Sequence, residues 1–355
     1  MDDRIDVVLH LGTGKTGTST IQALMRQSRP VLAEQGVLYP RTPGPARHAR
    51  FGLSFRSDAE LAAMPAWHQM RAESPERFRR RFERRLREEI RAAAPSTVVF
   101  SDEALYGLSP DSVSRLRAFT DSLGGQTRLV VYLRRQDEHL SSDYQQHVKT
   151  GEVRRLVHWT ADHDRSATYA YARRLARWEA AMEPAELVVR RFEPTAFKDG
   201  SLEADFLDAA GLSGIEPTPV PRRNESLDAE TVEFLRIFNL YLVAHAGGTA
   251  GLIDHRELVR RLSEHGTGPV LTLPESDLDL FLARWADSNR ETASRYFGDT
   301  ELFREPRRTT TTDVQLLDPD RVDHYLDVGE LPSGIRADLH RIAAQEARSS
   351  AGRPS

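Results

Sequence analysis

Residues 10–20, His-Leu-Gly-Thr-Gly-Lys-Thr-Gly-Thr-Ser-Thr, follow directly on the apolar run Ile5–Leu9. This is the pattern of a strand that runs into a small-residue loop and then into a helix starting near Thr18. Glycines at 12, 14 and 17 let the backbone approach a ligand without a Cβ in the way. The loop therefore offers backbone N–H groups, a helix N-terminus and one lysine to an anion. A phosphorylated nucleotide is the expected ligand.

The spacing departs from that of a nucleotide triphosphatase loop. Such a loop needs a glycine five positions before the one preceding the lysine, and that position is Leu9. Behind Lys15 stand Thr16, Gly17, Thr18 and Ser19. A second segment follows more than a hundred residues later. Arg128-Leu-Val-Val-Tyr-Leu-Arg134 reads as an apolar strand ending in arginine, and a polar helix with Ser142 and Tyr144 comes next. Arginine supplies a planar, permanent charge for phosphate, and serine a hydroxyl donor.

These two segments resemble the sulfotransferases that use 3′-phosphoadenosine 5′-phosphosulfate (PAPS), in their bacterial branch. The resemblance spans roughly residues 5–230, concentrated in short motifs. It implies that Gly14, Lys15, Thr16, Gly17, Thr18 and Ser19 bind the 5′-phosphosulfate. It implies that Arg134 and Ser142 bind the 3′-phosphate, although Arg135 leaves the register open by one. The segment Arg222-Arg223-Asn224-Glu225-Ser226-Leu227 is similar to an Asn-x-Ser-Leu element of the family. Arg223 or its neighbour is a further 3′-phosphate candidate there, and Ser226 or Asp228 a helix cap. The activity implied is in-line transfer of a sulfuryl group to a hydroxyl or amine of a small-molecule or carbohydrate acceptor, with adenosine 3′,5′-bisphosphate as product.

Such a reaction needs a group that stabilises charge on the departing oxygen and a base for the acceptor proton. Lys15 is the candidate for the first. For the second, Glu103 follows the strand Thr97–Ser101, where the bacterial branch also carries a strand-end carboxylate. Asp102 departs from the Ser-Ser-Glu form of that branch. His48, in the Pro- and Gly-rich loop after Pro40, is a rival base, and His10 a group that orders the site. The alternative function is a kinase or other phosphotransferase using ATP and magnesium, with Asp102 as metal ligand.

The rest of the chain agrees with this class. Its 355 residues carry net charge −4, which argues against a general nucleic-acid binder. There is no cysteine, hence no disulfide or thiolate chemistry. The histidine spacing suggests no metal site. The acidic start Met1-Asp2-Asp3-Arg4 leads into a strand, and no run approaches a membrane span, so a cytoplasmic protein without stable membrane insertion is expected.

Strands are predicted at Asp6–Leu11, Val37–Tyr39, Thr97–Ser101, Leu129–Leu133 and Glu186–Phe192, with helices between them. Apolar, non-alternating strands are buried on both faces, so the expected fold is a doubly wound, mostly parallel α/β sheet with helical C-terminal additions. Residues 1–345 are expected to form one domain, with the α/β core to about 200 and a helical part from 201, and 346–355 a disordered tail. Trp67, Trp159, Tyr169 and Tyr171 are candidates for an acceptor wall or for the core.

Overall fold

The computed structural model describes residues 4–64, 67–68, 74–161, 166–216, 226–245, 254–266 and 268–351. Five parallel strands order as β2-β3-β1-β4-β5: β1 Ile5–Leu11, β2 Val37–Leu38, β3 Thr97–Asp102, β4 Gly124–Leu133 and β5 Glu186–Arg191. All five were legible from their apolar runs. β4 begins five residues before its predicted start, because pairing with β1 extends past the apolar stretch to Gly124.

Alternate residues of each central strand enter two different cores. Val7, Leu9, Leu11, Phe100 and Val131 join one. It is closed by Phe78, Phe82, Leu86 and Ile90 of one helix and by Val113, Leu116 and Phe119 of another. Val8, Val99, Val130 and Tyr132 join the second, under Ile21, Leu24 and Met25 of α1 (Thr18–Gln27) and Leu32 of α2 (Arg29–Glu34). The sheet is thus wound on both faces, as the strand composition demands. The helix Pro75–Ala93 follows from its local sequence: Ser74 caps it by accepting from Arg77 N–H at 3.3 Å, Pro75 fits its first turn, and apolar residues recur every four positions. Its arginines pair with carboxylates one turn away, Arg80 with Glu76 and Arg87 with Glu83, both at 2.8 Å.

The chain divides into two compact units, and the division does not fall at residue 200. The first comprises Met1–Arg135, Arg165–Arg222 and Trp285–Glu305; the second comprises Gln136–Asp164, Arg223–Arg284 and Pro306–Ser355. The five-stranded sheet belongs to the first. The second is helical, with one short parallel pair, β6 (Val270–Leu271) and β7 (Thr311–Thr312). Two-residue strands carry no readable periodicity, and this pair was not foreseen. Two helices, Glu275–Ala283 and Ala286–Phe297, follow one another across the boundary between units.

In the second unit Asp228 caps Ala229–Ala244 by accepting from Thr231 N–H at 2.8 Å. Of the expected tail, residues 346–351 continue a helix, with Glu346 bonded to Arg236 and Arg155, and residues 352–355 lie outside the described residues. Among the described residues, no helix is long and apolar enough to cross a membrane.

Candidate functional site

The chain leaves β1 and its neighbour β3 toward opposite faces of the sheet, since α1 packs in one core and the helix Pro110–Asp121 in the other. Such a divergence opens a crevice at the carboxyl ends of the strands. The loop 12–17 and Glu103 meet there. Gly12 N–H donates to the Asp102 carbonyl at 3.3 Å. A Cβ on Gly12 would lie 3.0 Å from Glu103 Cα and 2.9 Å from Thr18 Cγ2, so only glycine permits this approach. Thr13 ties the loop to β4 as well, its hydroxyl donating to the Tyr132 carbonyl at 2.9 Å.

Gly14, Lys15 and Gly17 all have left-handed backbone, with φ of 73°, 52° and 71°. For Lys15 this conformation is strained, and the surrounding structure must hold it. Arg134 does so: its Nη1 donates to the Lys15 carbonyl at 2.8 Å. Arg134 in turn lies 5.5 Å from the Phe192 ring centroid, and its own carbonyl accepts from Tyr171 OH at 2.5 Å. The two segments that carry the resemblance therefore meet in space. Gly17 caps α1 with no side chain of its own to bond the first-turn amides, and no acid stands in that first turn. Gly14, Lys15 and Gly17 are half-exposed and Ser19 is exposed. Thr16 and Thr18 are buried. Thr16 lies 3.4 Å from the Thr13 hydroxyl, inside the loop.

Two adjacent carboxylates stand at the end of β3 and differ in environment. The Asp102 side chain is fully buried and Glu103 is 23% exposed. Arg47 Nε lies between them, 2.7 Å from Asp102 Oδ1 and 2.8 Å from Glu103 Oε2. Burial pushes Asp102 above its ordinary pKa despite the Arg47 charge. Burial opposes ionisation of Glu103 too, but the Arg47 charge and hydrogen bonding from Thr18 outweigh it and hold its carboxyl below the usual range. Glu103 is thus ionised at neutral pH and half-buried. Arg47 was not singled out in the sequence, although its loop was, as an irregular insertion.

His48 and His10 are held inside the fold. His48 is 0% exposed and is no surface-loop base. Its Nδ1 accepts from Ser101 N–H at 3.3 Å, which leaves Nε2 as the donor to the Pro40 carbonyl at 3.0 Å. Both nitrogens are committed to backbone, and burial lowers its pKa to about 3. His10 is also wholly buried, with Nδ1 2.8 Å from Ser101 Oγ, and burial lowers it to about 4. Trp67, Trp159, Tyr169 and Tyr171 are core residues.

Ser142 is half-buried on Gln136–Val148, the helix that opens the second unit. Tyr144 is buried there, donating to the Arg154 carbonyl at 2.8 Å. Arg223 lies outside the described residues.

Comparison with known proteins adds little to this geometry. No family model matches the chain, and no solved structure matches it. A protein of Archaeoglobus fulgidus, described only as uncharacterized, is 28% identical over 226 residues, covering 58% of this chain. The chain spans 55% of that relative's length.

Proposed function

We propose that the chain is a PAPS-dependent sulfotransferase acting on a hydroxyl or amine of a small-molecule or carbohydrate acceptor. The observation that carries this reading is the hydrogen bond from Arg134 to the Lys15 carbonyl, which joins the two separated motifs at the mouth of one crevice. Lys15 and the uncapped amides of α1 form the seat for a phosphosulfate. Lys15 also neutralises charge on the phosphate oxygen as its bond to sulfur breaks.

Glu103 takes the acceptor proton as the new bond to sulfur forms. Its lowered pKa keeps it ionised for that task, at some cost in basicity. Arg134 supports the site through the strained Lys15 backbone. Ser142 and Arg223 stay sequence-based candidates for the 3′-phosphate.

A magnesium-dependent phosphotransferase would need an accessible strand-end aspartate. Asp102 is buried against Arg47, which weighs against that use. Titration calorimetry separates the two. Adenosine 3′,5′-bisphosphate is expected to bind without magnesium, and Lys15→Ala to lose that binding. Binding of ATP with magnesium but not of the bisphosphate would overturn the proposal.

A further inference from the structure

The first unit holds a second basic feature at the far end of α1. A cavity of about 530 Å³ is lined by Arg26, Arg29, Arg41 and Arg50, with Gln27, Gly44 and Pro45 completing its wall. Arg26 stands eight residues past the start of α1, which places it roughly 12 Å along the helix from Thr18. This is a different place from the loop that holds Lys15.

The charge here is not neutralised from within. Arg26, Arg41 and Arg50 are exposed, and among the described residues no carboxylate comes within 4 Å of any of the three guanidinium groups. Arg29 is held in place by the backbone. Its Nε donates to the Tyr39 carbonyl at 2.8 Å and its Nη2 to the Pro40 carbonyl at 3.1 Å. Burial and the neighbouring Arg41 and Arg26 charges lower its pKa, while Glu89 acts in the other direction. Glu89 is already engaged, accepting from the Arg41 and Thr42 amides at 2.6 and 2.8 Å. Four guanidinium groups thus converge beside one carboxylate. Like charges gathered in this way repel, and an anion of two or more charges relieves that repulsion.

The wall is also built. Gly44 N–H donates to the Arg41 carbonyl at 3.0 Å, closing a turn. A Cβ on Gly44 would sit 2.1 Å from the Arg47 carbonyl oxygen, so no larger residue fits this turn as it stands. The same loop presents Arg41 to the cavity and Arg47 to Asp102 and Glu103. The volume suits a small organic molecule.

We propose that this cavity binds the phosphate or sulfate monoester group of a small polar molecule, through Arg26, Arg41 and Arg50 with Arg29 as a fixed back wall. The inference rests on the cavity and stands apart from the identity of the sulfuryl donor.

The test is titration calorimetry with glucose 6-phosphate, glucose 6-sulfate and glucose. One or both esters should bind and glucose should not; the ester that binds identifies the group. Each of Arg26→Gln, Arg41→Gln and Arg50→Gln should weaken binding roughly tenfold, and thermal melts should show these exposed-site variants folded. Lys15→Ala should leave the dissociation constant within about twofold. Silence with both esters overturns the proposal, as does binding that survives the triple glutamine variant but is lost in Lys15→Ala.

Discussion

Arg50 and Arg236 belong to regions that use the same side chain in opposite ways. In the second unit Arg236 is 3% exposed and grips both oxygens of Glu233, at 2.8 and 2.7 Å, as well as Glu346 at 2.5 Å. Arg155 reaches the same two carboxylates at 3.6 and 3.3 Å, and Gln315 adds a further donor to Glu233 at 2.9 Å. Two arginines meet two glutamates, and the cluster is neutral and satisfied. Around Arg50 the side chains of Arg26, Arg41 and Arg50 itself are exposed to solvent. A buried, balanced network specifies packing; a basic region without matching acids is left for an anion from outside.

Breaking the balanced cluster should have the largest effect. Arg236→Ala removes both of its bonds to the buried Glu233, leaving that carboxylate only Arg155 and Gln315, and should cost about 3–5 kcal/mol by urea denaturation. Arg50→Gln should move stability by under about 0.5 kcal/mol. A loss near 1 kcal/mol for Arg236→Ala would erase the contrast between the regions.

Next comes the loop. Lys15→Ala should lower turnover about 10²- to 10³-fold, or roughly 3–4 kcal/mol of transition-state stabilisation. Its melting temperature should stay within a few degrees, because the side chain is half-exposed. A large fall in melting temperature with turnover intact would make Lys15 a packing residue.

The buried histidines sharpen the comparison through pH. Their folded pKa values, about 4 for His10 and about 3 for His48, lie below the ordinary value near 6.5. Below pH 6.5 the unfolded chain takes up protons that the folded chain refuses. Stability is therefore full above pH 6.5 and falls toward pH 4, by about 2 kcal/mol per histidine at pH 5. Chemical denaturation from pH 7 to 5 checks this, and a flat profile would count against neutral, buried rings.

A smaller effect than at Arg236 or Lys15 is expected at Gly17. An alanine Cβ there would lie 2.2 Å from Leu202 Cδ2 and 3.0 Å from Phe192 Cε2, at a φ of 71°. Gly17→Ala should cost about 1–2 kcal/mol in stability and should also weaken anion binding. Unchanged binding would show that the loop tolerates a shift at the α1 cap.

Much of the fold was readable because parallel strands buried on both faces must be apolar runs, and five such runs became five strands. Loop 12–17 was readable because glycine marks left-handed backbone. What escaped was contact between residues far apart in sequence. Arg134 was expected to face a phosphate, yet it also braces the Lys15 carbonyl 119 residues away. Arg47 went unnoticed, since nothing local marks an arginine that bridges two carboxylates more than fifty residues further on. His48 lies in a loop, and only the tertiary structure buries it under Tyr39 and Phe100.

The sequence by itself determined the strand-loop-helix that begins the sheet, the parallel class and the presence of a lysine among turn-forming glycines. These are local, because backbone sterics and side-chain periodicity act over a few residues. Tertiary structure alone decided which arginines are paired and which face solvent. It set apart Asp102 from Glu103, and it closed the second unit from segments scattered along the chain. Charge pairing and burial depend on what distant segments bring within a few ångströms, and no short window of sequence contains that information.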